Sequence, residues 1–412
     1  MEALTVKGGA PLYGSVAVGG SKNAALPLLF ATMLTRGVST LTHVPDIADV
    51  HVTLAILSAY GAVIERTDAD TYRINTENLT YITPPAELVD RIRASTYLLG
   101  ASVARFGRAV LQPFGGCAFS ARPIDMHLGV IRTLGGRIEQ GRITAATLHA
   151  GHVVFPKISV GATVNALFLA VAADGVTVLE NVAVEPHIGA LIAYLTAAGA
   201  DITAADGRIT VRGGYALHGA HATVIPDMIE AGTYLLCGPM TGGRVCVQGI
   251  DPTHLLSLTS LLCSAGCHVE QTADSLTAWA TSPLAFMSVT AAPYPAFPTD
   301  LQPPLSALMA AHGGGEILDT VFPERYGYRS ALAPFGVRSE LHAPLLRLYP
   351  SHIVAGMSAA PDLRGGAAAL LCALRAEGES TVERASLLLR GYERLTEKLS
   401  SLGANVALHI GK

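Results

Sequence analysis

A glycine-rich segment around Cys117 carries the side chains best suited to covalent or acid–base chemistry. Gly115 and Gly116 precede the cysteine, and Arg122 follows it within a few residues. Paired glycines predict a flexible loop, and a guanidinium or ammonium group close to a thiol favours the reactive thiolate. We expect Cys117 to act as a nucleophile or as a general acid. The alternative is a small apolar residue in a surface loop.

A second segment, Gly19 to Ala24, joins two glycines to Ser21, Lys22 and Asn23 ahead of an apolar helical run. Ser21 or a neighbour can cap that helix. The free N–H groups of the first turn attract an anion, and Lys22 adds a full positive charge. The alternative is an ordinary capped helix with a surface lysine.

Four arginines fall near glycines or element junctions: Arg93, Arg325, Arg364 and Arg390. A guanidinium group matches carboxylate and phosphate with two hydrogen bonds. Each arginine taken alone can equally be solvated or salt-bridged. Asp300 follows a proline-bounded stretch, which suits a general base, a helix cap or a turn residue.

Composition excludes several classes of function. The 412 residues carry a net charge of −4 with no basic run, which argues against nucleic-acid binding. Six cysteines without a C-x-x-C pair, and fourteen histidines without a metal-ligand spacing, indicate neither zinc nor disulfides. No glycine-rich stretch carries the Lys-Ser/Thr of a P-loop. We therefore expect no metal and no cofactor, and the missing signal peptide and membrane span predict a cytoplasmic protein.

The elements that position these groups form a repeat. A helical segment ending in glycine and followed by a strand recurs about every 64 to 74 residues, at Gly61, Gly135, Gly199, Gly266, Gly336 and Gly403. Each copy begins with an apolar helix, continues through a Gly-led strand and an amphipathic second helix, and ends at this glycine. Such a period predicts α/β units that need neighbours to bury their faces. An ordinary doubly wound α/β protein is the alternative.

Two further expectations follow from the repeat. The first helix of each copy is apolar nearly all round, which predicts that it is buried. The recurring glycine suits a left-handed helix C-terminus. Six copies divide naturally into two groups of three, with the middle near 226–230.

Several of these segments together resemble the enolpyruvyl transferase family, in particular its UDP-N-acetylglucosamine 1-carboxyvinyltransferases. The resemblance extends over essentially the whole chain. The matching motifs are GSKNAALP at 20–27, RAS at 93–95, GGCA at 115–118, ARPIDMH at 121–127, SVGATV at 159–164, PAFPTD at 295–300, DLR at 362–364 and RGYER at 390–394.

The resemblance implies an α/β fold of two inside-out α/β barrel domains, built from six βαβαββ-type repeats and joined by a two-strand hinge. One domain would comprise 1–21 plus 228–412, and the other 22–227. The implied reaction is enolpyruvyl transfer from phosphoenolpyruvate to the 3-hydroxyl of UDP-N-acetylglucosamine, the first committed step of peptidoglycan synthesis. A monomer with no nucleic-acid or membrane partner is expected.

The same resemblance implies roles for individual residues. Cys117 would protonate the donor methylene carbon and can form a covalent adduct, and Asp300 would help to deprotonate the sugar hydroxyl. The expected ligands of phosphoenolpyruvate are Lys22 and Asn23, with Lys22, Arg122 and Arg390 around its phosphate and Arg325 and Arg364 on its carboxylate. The expected UDP-sugar ligands are Arg93, Arg122, Pro123, Ile124, Asp125, Met126, Lys157, Ile158, Ser159, Val160, Asp300 and Val321.

The sequence departs from the family pattern at several places. Leu389 and Met228 stand where the family usually has Asp and Arg, His187 where a carboxylate is common, and Tyr97 where Trp is usual. The segment after Arg325 also differs from the usual His-Val-Pro-Glu-Leu. Two alternatives therefore stay open: an enolpyruvyl transferase with another acceptor, such as shikimate-3-phosphate or a different nucleotide, and a non-catalytic protein that binds a UDP-sugar.

Overall fold

The computed structural model describes residues 2–115 and 122–410. Contacts within the chain divide these residues into two compact units. The first unit contains the chain up to Gly19 and from Pro226 onward, and the second contains the described residues from Gly20 to Ile225. Each unit has its own hydrophobic core.

The described residues contain thirteen α-helices and several short 3₁₀ turns. The α-helices are α1 Lys22–Ala31, α2 Ala48–Ala59, α3 Ala86–Val89, α4 Tyr97–Phe106, α5 Asp125–Thr133, α6 Val160–Ala172, α7 Pro186–Ala197, α8 Met228–Thr241, α9 Leu256–Ser264, α10 Gln302–Ala311, α11 Arg329–Leu332, α12 Leu363–Arg375 and α13 Leu395–Ser401. The 3₁₀ turns are Thr32–Leu34, Arg93–Thr96, Pro252–Leu255, Thr299–Leu301, Ala333–Phe335 and Ala385–Leu387.

The strands are short and numerous. They are β1 Glu2–Gly8, β2 Tyr13–Ala17, β3 Thr35–Arg36, β4 Val38–Thr42, β5 Val63–Asp68, β6 Thr71–Asn75, β7 Arg108–Val110, β8 Arg137–Glu139, β9 Arg142–Thr144, β10 His152–Val154, β11 Gly175–Glu180, β12 Asp201–Ala205, β13 Arg208–Gly213, β14 Leu217–His218, β15 His221–Thr223, β16 Arg244–Gln248, β17 His268–Gln271, β18 Ser275–Trp279, β19 Met287–Ala291, β20 Gly315–Asp319, β21 Arg338–His342, β22 Leu345–Tyr349, β23 Met357–Ala359, β24 Gly378–Glu383 and β25 Asn405–Ile410.

One sheet pattern recurs through the described part of the chain. The second unit has sheets in the order β15-β4-β6-β5, β7-β9-β8 and β10-β11-β13-β12. The first unit has β17-β18-β16-β2, β19-β20-β22-β21 and β23-β24-β1-β25. In every four-stranded sheet one outer pair is parallel, as for β10 and β11, and the remaining neighbours are antiparallel. The three-stranded sheet has no parallel pair.

Strands distant in sequence complete several of these sheets. β2 pairs in parallel with β16, and β15 pairs in parallel with β4. β1 lies between β24 and β25, so a strand from the beginning of the chain is an inner strand of the sheet formed by the last strands. The pairings of β1 and β2 explain why the first unit is discontinuous in sequence.

The first helix of each repeat is buried, as its composition predicts. These helices are α1, α4 and α6 in the second unit and α8, α10 and α12 in the first. Small residues let them approach closely. Gly100 of α4 donates its N–H to the Asn165 side chain of α6 at 2.6 Å, and a Cβ on this glycine would lie 2.8 Å from the same Oδ1 atom.

The six recurring glycines all have positive φ, between +81° and +105°. The predicted left-handed helix ends are therefore confirmed, because only glycine adopts this conformation without strain. The α/β fold class is also confirmed. None of the helices described is long and apolar enough to cross a membrane.

Candidate active site

The N-terminus of α1 is fixed by several local contacts in the second unit. The Ser21 hydroxyl accepts a hydrogen bond from the N–H of Ala24 at 3.3 Å, which caps the helix as predicted. The N–H of Ser21 donates to the carbonyl of Ile225 at 2.7 Å. A side chain at Gly20 would overlap the carbonyl oxygen of His43, so only glycine fits there. Lys22 therefore begins the helix from a fixed position.

Asp49 is a functional candidate that the sequence analysis missed. Its carboxylate oxygen Oδ2 lies 2.6 Å from Lys22 Nζ, and both side chains are largely buried. Asp49 sits in the first turn of α2. In the sequence, Asp49 stands out only as an acidic residue near the start of a largely apolar helix. The same pattern also suits a simple interaction with the helix dipole, so it did not indicate a functional role. Only the fold brings it to Lys22.

Arg93 and Arg122 are brought together within the second unit. The Nη2 atom of Arg93 donates a hydrogen bond to the backbone carbonyl of Arg122. Both residues are half-buried. Burial lowers the pKa of the Arg93 guanidinium, with nearby Tyr97 opposing the shift.

Two predicted sugar-nucleotide segments also meet. Asp125 and Met126 open α5, directly after the exposed Pro123 and the half-buried Ile124. The exposed Lys157 and the half-buried Ile158 lead to Ser159, which caps α6 by accepting from the N–H of Ala162 at 3.4 Å; Val160 begins that helix. The first turns of α5 and α6 are in close contact. Gly161 of α6 packs so near His127 of α5 that a Cβ on this glycine would lie only 2.8 Å from the Nε2 atom of His127.

His127 lies buried at this junction. Burial lowers its pKa to about 4, and Arg93 adds to this shift while Asp125 opposes it. Its Nδ1 atom has no hydrogen-bond partner among the described residues. The imidazole is therefore neutral near pH 7.

An ion cluster in the first unit joins Asp300, Arg325 and Arg364. Arg325 Nη1 donates to Asp300 Oδ1 at 2.7 Å. Arg364 donates from Nε to Asp300 Oδ2 at 3.1 Å, and its Nη2 atom lies 3.0 Å from the same oxygen. The two arginine side chains are 3% exposed, whereas the Asp300 side chain is 28% exposed. Asp300 is thus the most accessible member of this cluster.

The charges in this cluster stabilise one another. Burial by itself would raise the pKa of Asp300, but Arg364 and Arg325 outweigh it and hold that pKa far below its usual range. Burial would likewise lower the pKa of Arg364, yet Asp300 raises it. Asp300 and Arg364 are therefore both charged at neutral pH.

The arginines have further supports behind them. Arg325 Nη1 also donates to the Thr299 hydroxyl at 3.2 Å, and that hydroxyl donates to Asp319 Oδ2 at 2.5 Å. The Arg364 guanidinium carbon lies 5.5 Å from the centre of the Tyr392 ring. Tyr392 is part of the RGYER motif, but its type alone did not predict this contact.

The remaining predicted residues fall as follows. The N–H of Val321 donates to Asp319 Oδ1 at 2.9 Å, just after β20. Arg390 is half-buried in a turn after β24, and Asn23 is half-buried in the first turn of α1. Cys117 lies outside the described residues. The structure therefore joins Asp300 with Arg325 and Arg364, Arg93 with Arg122, and the α5 start with the α6 start.

Most of the family departures are accommodated by packing. Leu389 and Met228 pack against the core of the first unit. Tyr97 makes an edge-on contact with Phe30, with ring centres 6.1 Å apart. In the altered segment after Arg325, Tyr326 accepts the N–H of Asp319 at 2.9 Å, and Tyr328 hydrogen-bonds the Ser306 hydroxyl at 2.7 Å.

Comparison with known proteins gives a consistent result. The family model for EPSP synthase (3-phosphoshikimate 1-carboxyvinyltransferase) matches residues 6–399. A UDP-N-acetylglucosamine 1-carboxyvinyltransferase of Prosthecochloris aestuarii is 40% identical over 98% of this chain and 98% of its own length. UDP-N-acetylglucosamine 1-carboxyvinyltransferase 3 of Caldanaerobacter subterraneus is 38% identical over 98% of this chain and 99% of its own length.

Solved structures agree on the fold. The enolpyruvyl transferase NikO from Streptomyces tendae superposes with a TM-score of 0.86 at 29% identity, covering 100% of this chain and 99% of the other. An EPSP synthase from Acinetobacter baumannii gives a TM-score of 0.72 at 19% identity, with full coverage of both chains. The second likeness concerns the fold alone.

Proposed function

The chain belongs to the EPSP synthase family of enolpyruvyl transferases, and from this membership we propose that it transfers the enolpyruvyl group of phosphoenolpyruvate to the 3-hydroxyl of UDP-N-acetylglucosamine, with release of phosphate. The choice of acceptor is supported by relatives of that name, which match at 38–40% identity over nearly their whole length. The first committed step of peptidoglycan synthesis is the corresponding role.

The observation that best supports the donor is the guanidinium pair Arg325 and Arg364. The two groups are buried and already hold a carboxylate, that of Asp300, through charge-assisted hydrogen bonds. This geometry suits the carboxylate of phosphoenolpyruvate. Lys22, Asn23, Arg122 and Arg390 are proposed to bind the remainder of the donor, chiefly its phosphate.

In the proposed reaction, Asp300 accepts the proton of the sugar 3-hydroxyl while that oxygen bonds to carbon 2 of phosphoenolpyruvate. Cys117 gives its proton to the methylene carbon 3, which becomes a methyl group. The resulting tetrahedral ketal returns a proton from that methyl group to the Cys117 thiolate. The carbon–oxygen bond to phosphate breaks, the double bond is restored, and the departing phosphate takes up the proton held by Asp300. Positive groups around the donor stabilise the charge that develops on the phosphate.

The acceptor is proposed to bind in the second unit. Arg93 and Arg122 offer two guanidinium groups for a diphosphate, and the adjoining helix starts of α5 and α6 supply Pro123 to Met126 and Lys157 to Val160. The N-terminus of α6 is favourable for an anion because the helix dipole places partial positive charge there. Asp300 and Val321 are proposed to contact the sugar.

Several finer predictions accompany this proposal. We retain two inside-out α/β barrel domains with a two-strand hinge, and domain limits at 1–21 plus 228–412 and at 22–227. The recurring sheet pattern within each unit supports the six repeats. A monomeric, cytoplasmic protein without a nucleic-acid or membrane partner is likewise proposed on the sequence argument.

The deciding experiment measures phosphate release from phosphoenolpyruvate with each acceptor. We expect release with UDP-N-acetylglucosamine and none with shikimate-3-phosphate. Release only with shikimate-3-phosphate, or with another nucleotide sugar, would reassign the acceptor. Binding of UDP-N-acetylglucosamine without any turnover would instead support the non-catalytic alternative.

A further inference from the structure

The Asp300 cluster has a feature that the proposed reaction does not explain. Asp300, the proposed base, is bound to Arg325 and Arg364, the two arginines that are proposed to bind the donor carboxylate. It uses both of its oxygens, one on each guanidinium. A bound donor carboxylate would need the same three guanidinium nitrogens: Nη1 of Arg325, and Nε and Nη2 of Arg364.

We propose that Asp300 occupies the donor-carboxylate position in the unliganded protein, and that the carboxylate of the donor displaces it. This inference rests on the proposed function, since it assigns Arg325 and Arg364 to a carboxylate substrate. A three-atom carboxylate group is common to aspartate and to phosphoenolpyruvate. Asp300 therefore satisfies two buried positive charges that would otherwise be costly in the absence of substrate.

Exposure indicates the direction of the exchange. Asp300 is 28% exposed and both arginine side chains only 3%. The aspartate is therefore the more accessible partner in both ion pairs, which suits its displacement by an anion from solution. Asp300 lies in the three-residue 3₁₀ turn Thr299–Leu301, and the exchange needs only its side chain to rotate away.

The arginines keep other supports when Asp300 leaves. Arg325 remains bonded to the Thr299 hydroxyl, which Asp319 holds in turn. The Tyr392 ring remains close to Arg364. The guanidinium pair is thus a prepared carboxylate site rather than one that depends on Asp300 for its position.

The exchange also links donor binding to the base. While Asp300 bridges two guanidinium groups, its oxygens are committed to hydrogen bonds and accept a proton poorly. Once the donor carboxylate takes over those bonds, Asp300 is free to turn to the sugar hydroxyl. The donor thereby releases the base that its own reaction needs.

Binding of two half-substrates to the full-length protein tests this inference. Pyruvate has the carboxylate of the donor but no phosphate group. Inorganic phosphate has the phosphate group but no carboxylate. With Asp300→Asn and Asp300→Ala, we expect calorimetry to show pyruvate binding at least about tenfold tighter, because the competing charge-assisted bonds are gone. Phosphate binding should change by less than about twofold.

Two control variants sharpen the result. Glu324→Gln removes an exposed carboxylate next to Arg325 and should alter neither affinity. Asp300→Glu keeps a competing carboxylate, so its affinity for pyruvate should stay close to that of the unmodified protein. This variant also provides the test if the uncharged variants fail to fold. In that case a tightening of pyruvate binding in Asp300→Glu by tenfold would count against the inference.

Unchanged or weaker pyruvate binding in both uncharged variants would overturn the inference. Equal tightening for pyruvate and phosphate would do so as well, since it would reflect a general change of charge. Neither measurement needs an acceptor or turnover. Failure of the protein to use UDP-N-acetylglucosamine would therefore refute the proposed function while leaving this result interpretable.

Discussion

Lys22 Nζ and Asp49 Oδ2 form an ion pair of 2.6 Å that links the first residue of α1 to the first turn of α2. Both side chains are largely shielded from water. A short pair in such surroundings fixes the ammonium group much more firmly than a surface pair would. Asp49 is therefore a positioning residue for the lysine that is proposed to bind the donor phosphate.

Asp49→Asn tests this role. The loss of the carboxylate leaves Lys22 less firmly placed, and a displacement of about 1 Å can cost about 100-fold in rate. We expect kcat/KM for phosphoenolpyruvate to fall by about 10- to 100-fold, mainly through KM. Steady-state kinetics with varied donor would measure the split between KM and kcat.

Two companion variants separate positioning from stability. Asp49→Glu should restore part of the donor affinity, because a carboxylate is again within reach of Lys22. Asp46→Asn removes an exposed carboxylate paired with Arg66 and His51, and should leave donor kinetics unchanged. Normal kinetics in Asp49→Asn would contradict the positioning role.

Gly115 anchors the segment that precedes Cys117. Its N–H donates to the carbonyl of Val89 at 3.4 Å, and a Cβ there would overlap the carbonyl oxygen of Asp90. Gly115→Ala must therefore shift the backbone leading to Cys117. We expect kcat to fall by at least about tenfold, with a smaller loss of thermal stability.

Gly129 provides the matched control for this change. It lies within α5, and a Cβ there meets open space. Gly129→Ala should keep full activity and gain about 0.5–1 kcal/mol in stability from better helix propensity. If Gly115→Ala behaved like this control, the close approach to Asp90 would be irrelevant to activity.

His127 makes stability depend on pH. Burial lowers its pKa to about 4 in the folded protein, against about 6.5 when the chain is unfolded. Between these values the unfolded state binds a proton that the folded state does not, so stability falls as pH decreases from about 6.5 towards 4. At pH 5 the loss relative to neutral pH is about 2 kcal/mol.

His127→Gln should remove this part of the pH dependence. Urea unfolding of both proteins at pH 7.5 and pH 5 would measure the difference. His254 and His312 also have a pKa lowered by burial and contribute in the same direction, so only the difference between the two proteins isolates His127. Identical pH dependence in both would rule out the buried neutral imidazole.

Cys117 is proposed as the acid that protonates the donor. Cys117→Ser should lower kcat by about 100-fold or more, since general acid catalysis typically contributes that much. Binding of UDP-N-acetylglucosamine, measured by calorimetry, should be unchanged. Cys117→Asp should retain activity because a carboxyl group can also carry a proton. Full turnover in the serine variant would eliminate the thiol as the acid.

Local pattern predicted much of the fold. The six glycine positions, the α/β class and the burial of the first helix in each repeat all follow from periodicity and composition within short windows. Ser21 as a cap was equally accessible, because its bond to the N–H of Ala24 spans only three residues. The identities of Asp300, Arg325 and Arg364 as candidates came from motif resemblance, but their mutual contact did not.

The sequence by itself thus determined the repeating units, the helix ends and the family. Tertiary structure alone decided that β1 lies between β24 and β25, that Asp49 meets Lys22, and that Asp300 bridges Arg325 and Arg364. The reason is physical. Helix and strand patterns depend on neighbours a few residues away, whereas Asp300 and Arg364 are 64 residues apart and pair only because packed helices and sheets bring them together.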